Sequence, residues 1–307
     1  MPLEQFTAER LKGADVNVDV VFVRHAEREP IDPEKLKQGW SPPLTAKGLE
    51  DARQFGRKMV GSHLFCFGDY SRVHFTSTGI PRTKQTAMAI REGANFPGNV
   101  KITEHFPRPN DPIDRILRLR SNDGKPWNQE RISQAATSIG QNLHHIVGSF
   151  LQQYKINLDL VQAVEELKTC LTHDASKINL VLQNYLPSEV ASLLARHVVT
   201  LYYDNFLDDQ EARFYFDHSL SLLRRLARET LRALPNGNRL LFVAVTHDFN
   251  LAGMAKTSLG LFEGNTVRGL NSFSEVGGAP DYLASLTFKF ICQEAIRNLT
   301  GHGTSFQ

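Results

Sequence analysis

Hydrophobic positions alternate from Val16 onward and then become continuous through Val20-Val21-Phe22-Val23, which predicts a strand buried on both faces, as in a parallel sheet. The strand runs directly into Arg24-His25-Ala26-Glu27-Arg28, so this charged run is expected at its C-terminal end. A proline-rich loop follows, with Pro30, Pro33, Pro42 and Pro43. Leu44-Thr45 then opens a segment in which Leu49, Ala52, Phe55 and Met59 are spaced by three and four, the signature of an amphipathic helix. The pattern predicts a second short strand over 72–76, a helix over 82–92 with Pro81 near its first position, and a third strand over 100–103.

From about residue 112 to 233 the strand pattern fades and periods near 3.6 take over, in 132–154, 158–171, 190–203 and 214–234. Strand character returns over 239–246, immediately before His247-Asp248, and is followed by a helix over 249–259 and a last strand over 282–291. Strand–helix alternation on both sides of a helical block predicts an α/β fold. The expected architecture is a sandwich with a mainly parallel central sheet flanked by helices, plus a largely helical cap inserted between sheet strands. Residues 1–110 and 236–307 form the expected core and 111–235 the cap.

Composition narrows the function only a little. With 307 residues, 41% hydrophobic and 22% charged, the chain suits a soluble globular protein, and a formal net charge of +2 is too small to argue for nucleic acid or an anionic membrane. No apolar run approaches the roughly 20 residues that span a bilayer, and the N-terminal stretch lacks the form of a secretory signal. Cys66, Cys170 and Cys292 are odd in number and scattered, which suits reduced thiols. A cytoplasmic location is expected, although export without a cleavable signal is compatible with the same sequence. No Walker-type loop or glycine-rich dinucleotide fingerprint occurs.

In open α/β sheets, ligands collect beyond the carboxyl ends of the strands. Three polar clusters follow predicted strands here: Arg24-His25-Ala26-Glu27-Arg28, Ser77-Thr78-Gly79-Ile80-Pro81-Arg82, and Thr246-His247-Asp248. Phosphoryl transfer asks mainly for positioning, charge on the equatorial oxygens, a nucleophile and an acid for the leaving group. Arginine forks suit phosphate oxygens, so Arg24, Arg28 and Arg82 are candidate phosphate ligands, Arg82 beside a helix N-terminus. His25 can attack phosphorus through one ring nitrogen if the other donates to a fixed acceptor. His247 is a further donor, and Asp248 a candidate proton donor that would otherwise read as a helix cap before Phe249.

Together these motifs resemble the histidine phosphatase superfamily, and within it the acid phosphatase and phytase branch. That family is marked by an Arg-His-x-x-Arg run after the first strand, a downstream arginine near a helix start, and a late His-Asp pair. Arg24-His25-Ala26-Glu27-Arg28, Arg82 and His247-Asp248 match position by position, and Leu44-Thr45-Ala46-Lys47-Gly48 resembles the Leu-Thr-x-x-Gly helix entry. The likeness covers about residues 18–120 and 238–290. Ala26 stands where this branch usually has glycine. The stretch Arg82-Thr83-Lys84-Gln85-Thr86-Ala87 also resembles the mutase-like branch, in which a glutamate after the third strand is the acid; Glu104 is the alternative acid on that basis.

The resulting expectation is a phosphomonoesterase that works through a phosphohistidine on His25, with Asp248 as acid, on a small phosphorylated substrate, with no metal or cofactor. Alternatives are a phosphomutase-like transferase, a phospholigand- or partner-binding protein with weak turnover, and a cap that docks a phosphoprotein. Arg108, Arg115, Arg118 and Arg120, interleaved with Asp111 and Asp114, read as half-solvated pairs. His144, His145, His173, His197 and His218 lack metal-ligand spacing and read as surface or packing residues.

Overall fold

The computed structural model describes residues 17–30, 35, 41–61, 70, 72–96, 100–102, 127–158, 160–173, 177–207, 212–213, 216, 239–258, 262–263, 266–267, 272–276, 278–280 and 282–290. Its centre is a five-stranded sheet built from β1 (Asn17–Arg24), β2 (Arg72–Ser77), β3 (Val100–Ile102), β4 (Arg239–Thr246) and β7 (Ser285–Phe290), in the order β3-β2-β4-β1-β7. β4 pairs in parallel with both β1 and β2, β2 in parallel with β3, and β7 runs antiparallel at the edge. The sheet is therefore mainly parallel, as expected from the sequence. Two very short strands, β5 (Phe262–Glu263) and β6 (Thr266–Val267), form a separate hairpin.

The two faces of β1 and β4 feed two apolar cores, which is why both strands read as unbroken hydrophobic runs. Val21, Val23, Phe75, Leu241, Val243 and Val245 pack with α1 (Ala46–Gly61) and α2 (Pro81–Gly93) through Ala52, Met59, Ala87 and Ile90. Val20, Phe22, Leu240, Phe242 and Ala244 face the other way, against α7 (Asp248–Ser258). That second core continues without interruption into the helical insertion, α3 (Trp127–Gln153), α4 (Val161–His173), α5 (Ile178–Gln183) and α6 (Ser188–Phe206), through residues such as Leu143, Leu167, Leu194 and Val198. Fully buried side chains such as Phe22 and Phe242 each contribute about 1.5–3 kcal/mol by leaving water.

A buried polar staple closes the end of the sheet remote from the charged runs. Asp19, almost fully buried, accepts from Tyr70 Oη at 2.5 Å and Arg239 Nη2 at 3.1 Å, while the Arg239 guanidinium lies 4.7 Å over the Tyr70 ring. Three donors or ring contacts thus compensate a carboxylate taken out of water.

The predicted elements differ from the observed ones mainly at their ends. The last strand begins at Ser285 rather than 282, because Leu283 adopts a positive φ of 58° and turns the chain before pairing starts. α7 begins at Asp248 itself: the His247 carbonyl accepts from the Leu251 amide at 3.1 Å, so His247 occupies the capping position and Asp248 the first turn. The short α5 has no counterpart in the sequence reading. Most of the predicted helix over 214–234, together with Cys66, Cys292, His218, Glu104 and the arginines and aspartates between 108 and 120, lies outside the described residues. Among the described residues no helix is long and apolar enough to cross a membrane.

Candidate active site

Strand register assembles the site. Arg24 is paired with Thr246 across β1 and β4, so the next residues, His25 and His247, leave neighbouring strands at the same level. Their rings meet edge to face with centroids 5.6 Å apart, and the His25 amide donates to the Thr246 carbonyl at 3.0 Å. Ser77, at the end of β2, pairs with Val245, which delivers Thr78 and the start of α2 to the same edge.

The loop after β1 is held by the two helices beneath it. The Ala26 amide donates to Thr86 Oγ1 at 3.0 Å, and Thr86 in turn donates to the Arg82 carbonyl at 2.8 Å. Thr45 caps α1 by accepting from the Gly48 amide at 2.9 Å, and its own amide donates to the Glu27 carbonyl at 3.1 Å. Gly48 is required by contact: a Cβ there would lie 2.1 Å from the Glu27 carbonyl oxygen. This gives the Leu-Thr-x-x-Gly entry its physical sense, since the helix start and the loop share one backbone contact. Ala26 is fully buried, and its methyl belongs to the apolar core with Leu44 and Ala52.

His25 has one tautomer compatible with its partners. Nδ1 lies 2.8 Å from the Ala26 carbonyl oxygen, which can only accept, so Nδ1 carries the proton. Nε2 then holds the lone pair, and Arg82 Nε donates to it at 3.2 Å. The ring is buried, 3% exposed. Burial, followed by the charges of Arg82, His247 and Arg24, holds its pKa well below the ordinary imidazole range, against the pull of the Ala26 carbonyl. His25 is therefore a neutral imidazole with its unprotonated nitrogen turned toward the guanidinium of Arg82.

His247 is oriented by the same logic. Arg82 Nη2 donates to its Nδ1 at 3.4 Å, which leaves Nε2–H to donate to Thr78 Oγ1 at 3.2 Å. Thr78 donates onward to Thr83 Oγ1 at 2.6 Å, and Thr83 to the Ile80 carbonyl at 2.8 Å. This relay, wholly buried at Thr78, Thr83 and His247, ties His247 to the first turn of α2.

Positive charge dominates the pocket. Burial first, and then Arg28, lower the pKa of Arg82 to about 10, with Asp248 and Tyr282 acting in the opposite sense and Arg24 adding to the decrease. Arg82 stays charged at neutral pH. Arg82 Nη1 also lies 3.4 Å from Ser41 Oγ, and Arg28 Nη1 donates to the Glu29 carbonyl at 3.0 Å. Like charges brought together in a water-poor cleft raise one another's free energy, and an anion between them relieves it.

Arg24 is engaged differently. Its Nη1 donates to the Pro280 carbonyl at 2.6 Å, its Nη2 meets Asp248 Oδ2 at 3.3 Å, and its guanidinium lies 4.6 Å over the Tyr282 ring. Asp248 Oδ1 accepts from the Phe249 amide at 3.0 Å. Burial pushes the Asp248 carboxyl up, but Arg24, His25, a hydrogen bond from the Tyr203 hydroxyl and His247 outweigh it and hold the group below the usual carboxylate range. Tyr203 comes from α6, so the helical insertion reaches the site directly.

Six predicted residues, Arg24, His25, Arg28, Arg82, His247 and Asp248, thus lie at one sheet edge; Glu104 falls outside the described residues. Thr78, Thr83, Tyr203 and Tyr282 were not singled out by the motifs. Only Thr78, lying between the second strand and Arg82, carried a positional signal. His144, His145 and His197 are exposed and remote in role, His197 stacking on Phe150 at 6.2 Å.

Compared by sequence, the chain matches no protein-family model and no curated protein. Compared by structure, it is similar to a phosphoglycerate mutase from Bacillus anthracis str. Sterne at 12% identity and a TM-score of 0.40, covering 92% of this chain and 91% of that one. It is similar to the phytase of Klebsiella sp ASR1 at 18% identity and a TM-score of 0.47, covering 90% and 78%. It is also similar to the ecdysone phosphate phosphatase of Bombix mori, solved with tungstate, at 13% identity and a TM-score of 0.35, covering 89% and 91%. All three belong to the histidine phosphatase superfamily, the family that the motifs resemble.

Proposed function

We propose that the chain is a phosphomonoesterase of the histidine phosphatase type, acting on a small phosphate monoester through a phosphohistidine on His25. One observation carries this reading: His25 holds its lone pair on Nε2 by donating from Nδ1 to the Ala26 carbonyl, and that lone pair faces Arg82. A phosphoryl group entering there would take over the arginine's donors and expose Nε2 to phosphorus.

In the first step the Nε2 lone pair forms the N–P bond as the ester P–O bond breaks. A protonated Asp248 gives its proton to the departing oxygen. In the second step a water oxygen forms the new P–O bond, the N–P bond breaks back to the imidazole, and the Asp248 carboxylate takes the water proton. Arg82, Arg28 and His247 balance charge on the equatorial oxygens, with Arg24 divided between the phosphate and Asp248. An ionised Asp248 in the resting site fits this scheme, because an arriving dianion raises the proton affinity of the carboxylate beside it.

Replacement His25→Ala should reduce phosphate release from an aryl phosphate to background and abolish acid-labile labelling of the protein by a radioactive phosphate ester; retained turnover would sink the covalent assignment. Asp248→Asn should slow an alkyl ester by about 10²–10⁴ and an aryl ester far less, since only the former needs its leaving group protonated. Equal losses would point to another acid, with Glu104 the first to test. Phosphate release without any added acceptor separates the hydrolase from a mutase.

A further inference from the structure

Helix α6 holds Asp248 from two sides. On one side, the Tyr203 hydroxyl donates to the carboxylate. Tyr203 is 4% exposed, its ring edge-on to Tyr202 at 5.7 Å and to Phe273 at 6.2 Å, and tilted on Phe249, the residue after Asp248, at 5.5 Å. Burial and the neighbouring carboxylate push its own pKa well above the ordinary phenol value, so it remains a donor throughout the working pH range. On the other side, Asp204 accepts from Ser272 Oγ at 2.6 Å and from the Phe273 amide at 2.9 Å, and Thr200 Oγ1 accepts from the Ala279 amide at 3.1 Å. Those contacts hold the backbone next to Pro280, whose carbonyl binds Arg24, the cation paired with Asp248.

We propose that Tyr203 is a positioning residue of the reaction: its hydroxyl holds Asp248 in the orientation and charge state from which it exchanges a proton with the leaving oxygen, so that the helical insertion governs the acid. This rests on the reading of Asp248 as general acid. Asp248 is faced by Arg24 at the end of β1, by His25 and His247 at the sheet edge, by Arg82 of α2, and by Tyr202 and Tyr203 of α6. The four basic groups are unchanged when the Tyr203 hydroxyl is removed, and the carboxylate loses one donor. Its protonated form is then favoured, and the limb on which alkyl-ester turnover falls with rising pH moves upward.

The test compares kcat–pH profiles for an alkyl and an aryl phosphate in the full chain. Tyr203→Phe should move the alkyl-ester limb up by about one pH unit, the size of a single hydrogen bond to a charged group. Site-specific 3-fluorotyrosine at position 203, a stronger donor that keeps the ring, should move it down. In the Asp248→Asn background Tyr203→Phe should change the alkyl rate less than twofold. A limb that stays in place in both variants overturns the proposal, and if Tyr203→Phe does not fold, the fluorotyrosine profile decides alone. The aryl ester is the control for the underlying chemistry: its hydrolysis must be lost in His25→Ala, and its persistence there would defeat the phosphohistidine reading rather than the role of Tyr203.

Discussion

Arg24 and Asp248, 224 residues apart in the chain, meet at 3.3 Å at the junction of β1 and α7. The pair lies between the cationic pocket and the helical insertion, and it ties the protonation of the acid to the same arginine run that supplies the nucleophile. Both side chains are only partly open, 12% and 24% exposed, so the Coulomb interaction is not fully screened.

Arg24→Gln should therefore change acid stability as well as rate. The folded pKa of Asp248 is depressed, so its contribution to stability is present above the unfolded carboxylate pKa of about 3.9 and is lost as pH falls toward the folded value. Removing Arg24, named second to burial among the influences on Asp248, should shrink that loss. Thermal melts of the two proteins between about pH 2 and pH 5 should converge as pH falls; parallel curves would deny the coupling.

Inorganic phosphate should stabilise the fold by occupying the cluster of Arg28, Arg82, His25 and His247. At a hundredfold excess over Kd, the stabilisation is about 2.7 kcal/mol. Arg82→Ala should abolish most of the melting shift. A variant that still gains the full shift would mean that phosphate binds elsewhere.

Gly48→Ala places a methyl where the Glu27 carbonyl oxygen stands 2.1 Å from the ideal Cβ, and neither backbone can yield without moving the loop that carries His25. The expected cost is about 1–3 kcal/mol, with a loss of turnover larger than the loss of stability explains. Chemical denaturation and kcat on one preparation would separate the two effects. Unchanged kcat would show that the loop is positioned from elsewhere.

Thr83→Val keeps the shape of a fully buried side chain and removes the hydroxyl that receives the Thr78 hydroxyl. Thr78 must then turn toward another acceptor, and the Nε2–H of His247 loses a fixed partner. A destabilisation of about 1–3 kcal/mol is expected, together with weaker phosphate binding but intact formation of the phosphohistidine. Binding isotherms and acid-labile labelling would distinguish this from general misfolding.

The site was legible in the sequence where strand ends and chemistry coincide. β1 and β4 are buried on both faces, so their apolar runs stop sharply at Arg24 and Thr246, and the residues that follow had to share one edge. Arg82 followed from Pro81, which opens α2 at its first position. What the sequence did not disclose are contacts that depend on packing angles between elements. Tyr203 lies in a helix whose apolar spacing is satisfied by burial alone, and nothing local marks its hydroxyl as aimed at Asp248. Tyr282 precedes a turn set by the positive φ of Leu283, which shortened the last strand. Ala26 looked like a departure that bears on the phosphate, yet its methyl packs into the apolar core and only its backbone serves His25.

The strand order has a consequence for how the molecule comes into being. β1 and β2 are not neighbours; β4, laid down more than 160 residues after β2, separates and joins them. Until it arrives, two hydrophobic strand segments have no parallel partner, a condition that slows folding and exposes edges to aggregation. The same docking event brings His247 beside His25, so the central seam of the sheet and the reactive centre form together, and a chain that can hydrolyse an ester is one whose last-made core strand has already found its slot.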